Sequence, residues 1–90
     1  MFSFGRSKQP LQVVLYSKPG CHLCDVMKSE IAKSGSENRY ELSEVNIESD
    51  PELNERFALS IPVLEIEGRI AFKGALTPES FNRKLARARS

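Results

Sequence analysis

Cys21 and Cys24 are the only cysteines in this chain, and His22 and Leu23 separate them. At the start of a helix, positions i and i+3 share one face, close enough for two sulfurs to join without large backbone movement. A thiolate attacks a disulfide where a thiol hardly does, so the ionisation of Cys21 governs what the pair can do. An unperturbed thiol has a pKa of about 8.5 and is only slightly ionised at neutral pH. A helix N-terminus supplies about 0.3–1 kcal/mol, or up to about 2 when partly buried. One pKa unit needs about 1.4 kcal/mol, so the dipole alone gives about one unit. Further lowering requires hydrogen bonds from the Leu23 and Cys24 N–H groups, the charge of Lys18, or a proton on His22. Asp25 opposes the shift if it lies close. The expected roles are Cys21 as a nucleophile of depressed pKa and Cys24, one turn further in, as a more buried thiol that resolves the mixed disulfide.

Two other readings of the pair compete. Both cysteines can be small buried hydrophobes. Both can also be metal ligands with His22, but a closed zinc site normally takes four protein ligands and the chain has no further cysteine or histidine. Cys21 and His22 are also adjacent, and neighbours on a helix do not face one ion. No metal is expected, and His22 and Leu23 are read as spacers that tune the redox potential.

The elements that must position the pair follow from the flanking sequence. Leu11 to Tyr16 is nearly continuous in apolar and β-preferring residues, as in a central strand covered on both faces. Pro19 and Gly20 break it with a turn, and Leu23, Cys24, Met27, Ile31 and Ala32 then recur at helical spacing through Ser34. Tyr40 to Ile47 alternates as a second strand, with a phase slip near Ser43. Asp50-Pro51-Glu52 is a helix start with Leu53 and Phe57 on one face. Ile61-Pro62 leads into Val63 to Ile66, and Glu67-Gly68 joins that strand to Arg69 to Phe72 as a tight hairpin. Thr77-Pro78-Glu79 repeats the helix start, and Phe81, Leu85 and Ala88 form an apolar stripe. The order is β-α-β-α-β-β-α, with the first two strands parallel across a helical crossover and the last two antiparallel.

Length and composition narrow the field. The 90 residues, 40% hydrophobic and 28% charged, suffice for one core. Residues 1–10 read as a flexible lead-in and residues 11–90 as the domain. The formal net charge of +1 lacks the basicity of a nucleic-acid binder. Arg83, Lys84, Arg87 and Arg89 fit the dipole at a helix C-terminus, and no aromatics are interleaved for base stacking. The acids from Glu37 to Glu55 read as a solvated face that can also select a basic partner. No run approaches the roughly 20 apolar residues of a membrane span, and residues 1–10 lack a signal-peptide core. With both cysteines in one motif, a reducing compartment and a cytoplasmic location are expected. The chain is expected to be a monomer.

Taken jointly, Val13 to Cys24, Asp50-Pro51-Glu52-Leu53, Ile61-Pro62-Val63-Leu64 and Gly68 resemble the glutaredoxin-like branch of the thioredoxin superfamily. The likeness is greatest to its small domains with a Cys-His-Leu-Cys motif, and it runs from Leu11 to the terminal helix. The resemblance implies an α/β thioredoxin fold with a four-stranded mixed sheet, in which the second strand flanks the first and the third and fourth follow. Helices would lie on both faces. It implies Cys21 as exposed nucleophile, Cys24 as resolving thiol, and a cis Ile61-Pro62 bond that leaves the Ile61 backbone free to pair with a bound peptide or glutathione. Lys18 matches a lysine that commonly contacts a glutathione carboxylate. Gly74-Ala75 stands in place of the usual Gly-Gly, and Thr77-Pro78-Glu79 in place of an acidic pair, although the Thr77 helix end can receive an anion. Leu15 occupies the position of the buried carboxylate of thioredoxin.

The expected activity is thiol-disulfide exchange on a protein disulfide or a glutathione mixed disulfide, with glutathione or a thiol reductase restoring the electrons and no cofactor bound. The alternative is a non-catalytic module that binds glutathione or peptide beside Lys18, Ile61, Pro62, Gly74 and Thr77. A dimer sharing an iron-sulfur cluster is a third reading.

Overall fold

A computed structural model of the protein describes residues 9–89. Residues 1–8, most of the expected lead-in, lie outside them. The chain runs β1 (Leu11–Ser17), α1 (His22–Ala32), β2 (Tyr40–Asn46), α2 (Pro51–Phe57), β3 (Val63–Ile66), β4 (Arg69–Lys73) and α3 (Pro78–Arg89). Short 3-10 turns at Glu37–Arg39 and Ile47–Ser49 flank β2. The strands form one sheet ordered β2-β1-β3-β4. β1 is parallel to β2 and antiparallel to β3, and β3 is antiparallel to β4. This is the β-α-β-α-β-β-α order of the sequence, a mixed sheet with β1 inside it.

Alternation along β1 sends Leu11, Val13 and Leu15 to one face, where they pack with Met27 and Ile31 of α1 and Phe81 and Leu85 of α3. Tyr16 points to the other face and stacks on Phe57 of α2 at 4.8 Å between ring centroids, next to Ile47 and Val63. Helices therefore cover both faces. The phase slip in the second strand is a change of face. Tyr40 and Leu42 pair with Leu11 and Val13 on the α1/α3 side, whereas Val45 pairs with Tyr16 on the α2 side. β2 continues unbroken, and Ile47 leaves it to be buried beneath α2.

Both cap-proline-acid starts are built as helix caps. Asp50 Oδ1 accepts from the Glu52 N–H at 2.9 Å ahead of α2. Ahead of α3, Thr77 Oγ1 accepts from the Ser80 N–H while Ser80 Oγ accepts from the Thr77 N–H, both at 3.0 Å, a reciprocal capping box. In the β3–β4 hairpin both turn residues have positive φ, 52° at Glu67 and 81° at Gly68, the type I′ pattern. The sequence shows the glycine but not the left-handed glutamate. Glu67 is held there by Gln12, whose N–H donates to the Glu67 carboxylate at 2.7 Å and whose C=O accepts the Glu67 N–H at 2.8 Å.

Candidate active site

β1 ends at Ser17, and Lys18, Pro19 and Gly20 turn the chain into α1. The Cys21 N–H donates to the Lys18 carbonyl at 3.3 Å, and Gly20 has φ 80°. Proline second and glycine third are the residues a type II turn requires. The turn delivers Cys21 to the N-cap of α1, where its Sγ accepts from the Cys24 N–H at 3.1 Å. Of the two donors expected from the sequence, Cys24 is the one that reaches the sulfur. Helix dipole and unpaired N–H groups both favour an anion at this point.

Cys21 is partly exposed, whereas Cys24 is 1% exposed beneath it. The two sulfurs are joined as a disulfide across a Cα separation of 5.2 Å, inside the usual range. Cys21 is therefore the member of the pair that solvent reaches. His22 and Leu23 are exposed, Leu23 at 54%, and Val26 one turn on is also exposed, so apolar surface borders the disulfide.

Beside the turn lies an open cleft of about 370 Å³, bounded by Lys18, Pro19 and Gly20 and by a chain of polar side chains. Buried Ser17 donates its hydroxyl to Glu44 of β2 at 2.7 Å, Glu44 accepts from Lys28 at 3.1 Å, and Lys28 lies 3.8 Å from Asp25. The Ser17 hydroxyl, with help from Lys28, holds the Glu44 carboxyl below its ordinary range, and Glu44 in turn raises the Lys28 ammonium. Sequence reasoning missed this group. Its signal is the parallel pairing of β1 with β2, which sets Leu15 beside Glu44 and Ser17 beside Asn46.

The other predicted residues gather at the same end of the sheet. Tyr16 pairs with Val63, so the register carries Pro62 to the level of Ser17 and Ile61 to that of Lys18. The Ile61-Pro62 bond is cis, Pro62 is buried, and the Gly74 N–H donates to the Pro62 carbonyl at 2.7 Å. The structure corrects one expectation: the Ile61 backbone is not wholly free. Its N–H donates to the Phe57 carbonyl at 3.1 Å, because the last carbonyls of α2 need donors. A strand bound here uses the Ile61 carbonyl or displaces that bond. Thr77 is exposed at the α3 cap with its hydroxyl and N–H both engaged by Ser80. Lys18 is exposed at the mouth of the turn.

Among the described residues, no group of three or more histidines, cysteines or acids is placed to hold a metal ion. No helix among them is long and apolar enough to cross a membrane.

A four-stranded mixed sheet with helices on both faces and a Cys-x-x-Cys disulfide at the N-terminus of its first helix is a thioredoxin-like fold with a redox-type cysteine pair. Solved structures agree on the fold. Protein Ne2328 from Nitrosomonas europaea superposes with a TM-score of 0.72 at 24% identity, covering 84% of this chain and 92% of that one. Target protein XcR50 from X. campestris gives 0.71 at 25% identity, with 83% and 96% covered. Desulfothioredoxin from Desulfovibrio vulgaris Hildenborough, in its reduced form, gives 0.64 at 22% identity, with 97% and 90% covered. No curated protein sequence matches the chain. The chain belongs to the family described as Glutaredoxin-like domain (DUF836), whose profile matches residues 12–86.

Proposed function

We propose that the protein is a thiol-disulfide oxidoreductase that reduces protein disulfides or glutathione mixed disulfides. The observation that carries the reading is the asymmetry of the pair, with Cys21 capping α1 at the surface and Cys24 buried one turn below. In the reduced chain the Cys21 thiolate attacks one sulfur of the substrate disulfide, a Cys21–substrate bond forms, and the other substrate sulfur leaves as a thiolate. Cys24, deprotonated, then attacks the Cys21 sulfur, and the first substrate sulfur leaves. The substrate gains two electrons and two protons as thiols, and the chain becomes the Cys21–Cys24 disulfide. Two glutathione thiols restore the dithiol by the reverse exchange and leave as glutathione disulfide. A thiol reductase can replace them.

In this reading Lys18 attracts a substrate carboxylate, and Ile61, Pro62 and Gly74 bind the substrate backbone beside the pair. The test compares wild type, Cys21→Ser and Cys24→Ser on a glutathione mixed disulfide and on a protein disulfide. Cys21→Ser is expected to abolish turnover of both. Cys24→Ser is expected to trap the protein substrate as a mixed disulfide while retaining a monothiol reaction with glutathione. Full activity of Cys21→Ser would sink the reading, and binding of glutathione or peptide without turnover by wild type would support a non-catalytic module instead.

A further inference from the structure

Charge is segregated along the sequence: residues 37–55 hold seven acids and one base, residues 69–89 six bases and one acid. The dipole of α3 accounts for cations on that helix. It does not account for Arg69, which sits on β4 and which the fold brings alongside α3.

Two adjoining depressions, about 230 and 100 Å³, run between β4 and α3 and share Lys84 and Arg87. Arg69 borders the first and Arg83 the second, and among the described residues no acid lines either. The floor is apolar, with Ala71 and Phe72 half-buried, and Ile70 is 41% exposed on the strand. The Lys84 ammonium lies 6.0 Å from the centre of the Phe72 ring. Among the described residues, Arg69, Lys73, Arg83 and Lys84 have no carboxylate within ion-pair distance. The charges of Arg69, Arg83 and Lys84 are therefore not neutralised by a described carboxylate. β4 is also the outer strand of the sheet, so no strand among the described residues pairs with its outward N–H and C=O groups, and a further strand can.

We propose that this groove docks an extended acidic segment of a partner protein, which adds to β4 as a further strand. Alternation along such a segment sends every second side chain toward α3, where an acid meets Arg69 or Lys84, and the others to the opposite sheet face beside Ile70, which pairs with Glu65, where an apolar side chain fits. The occupant is thus a segment of alternating acidic and apolar residues. Nucleic acid is the weaker fit, because the groove offers one aromatic, Phe72, half-buried and faced by Lys84. This inference does not rest on the redox reading.

The probe is a fluorescent, cysteine-free peptide alternating glutamate and valine, titrated into the oxidised full chain at low and moderate salt. Saturable binding that weakens with salt and shifts the backbone amide resonances of β4 and α3 is expected. The double variant Arg69→Glu, Lys84→Glu should lose about tenfold or more in affinity, with Arg69→Ala, Lys84→Ala losing less and circular dichroism confirming that both fold. Undiminished binding by the charge-reversed variant would overturn the proposal, as would shifts confined to other elements. Tighter binding of oligothymidylate at the same amides would overturn it in favour of nucleic acid. Self-association abolished by the double variant, without peptide binding, would overturn it in favour of a second copy. Because the probe carries no thiol, its binding is read independently of turnover.

Discussion

In the reduced protein Cys21 is expected to titrate below the ordinary thiol value of about 8.5 and Cys24 above it. Thiolate absorbance against pH in wild type and in each cysteine-to-serine variant measures both, and an unshifted Cys21 would leave the cap without its chemical effect. Glu44 carries a second pH prediction. Its carboxyl is held down in the folded chain, first by the Ser17 hydroxyl and then by Lys28. A carboxylate of depressed pKa adds stability above its unfolded value, 4.5, and loses it as pH falls through the folded value. Glu44 is largely exposed, so its contribution is small: Glu44→Gln should lower Tm by about 2–4 °C at neutral pH. Thermal melts should show that gap closing in acid, and a constant gap would mean that shape, not charge, was lost. The placement of the cysteine pair was legible because i, i+3 spacing and a helix start are local facts. The Ser17–Glu44 bond spans 27 positions and depends on a register no local pattern reveals. Ile61 is a local case instead: its N–H is claimed by the Phe57 carbonyl at the end of the preceding helix, a bond that no residue type there marks.

Two elements owe their ends to single residues. Thr77→Ala removes the hydroxyl that caps α3 and should cost about 1 kcal/mol, seen as a Tm about 4–8 °C lower. Gly68 sits at φ 81° with open space where a Cβ would project. The cost of Gly68→Ala is therefore conformational and not steric, about 1–2 kcal/mol. A chemical-denaturation midpoint equal to that of wild type would contradict that origin. Strand and helix order was legible throughout, since caps, prolines and the hairpin glycine are written in adjacent residues. The alternation in β2 was harder to read. Tyr40 and Leu42 lie on the α1/α3 face, where Tyr40 packs on the core, and Val45 lies on the α2 face beside Tyr16, so a one-face template fails at Ser43.

Phe81 ties the whole molecule together: it is fully buried in the main core and meets Tyr40 edge-on at 5.3 Å, joining α3 to the far strand of the sheet. Phe81→Ala should cost about 3–5 kcal/mol, a large share of the stability of a small domain, and denaturant titration would measure it. The global architecture emerged from summed local signals, whereas the groove between β4 and α3 required two segments to be seen side by side. The cap on α1 has one more consequence. The Cys24 amide donates to the very sulfur whose bonding changes during exchange. A thiolate is a stronger acceptor than a disulfide sulfur, so that amide proton is a built-in gauge. Its resonance position and its exchange with solvent should step between distinct values in the oxidised, substrate-linked and reduced protein. Isotope-labelled protein would thus report the fraction of molecules at each stage of the cycle without a dye, a mutation or an added ligand.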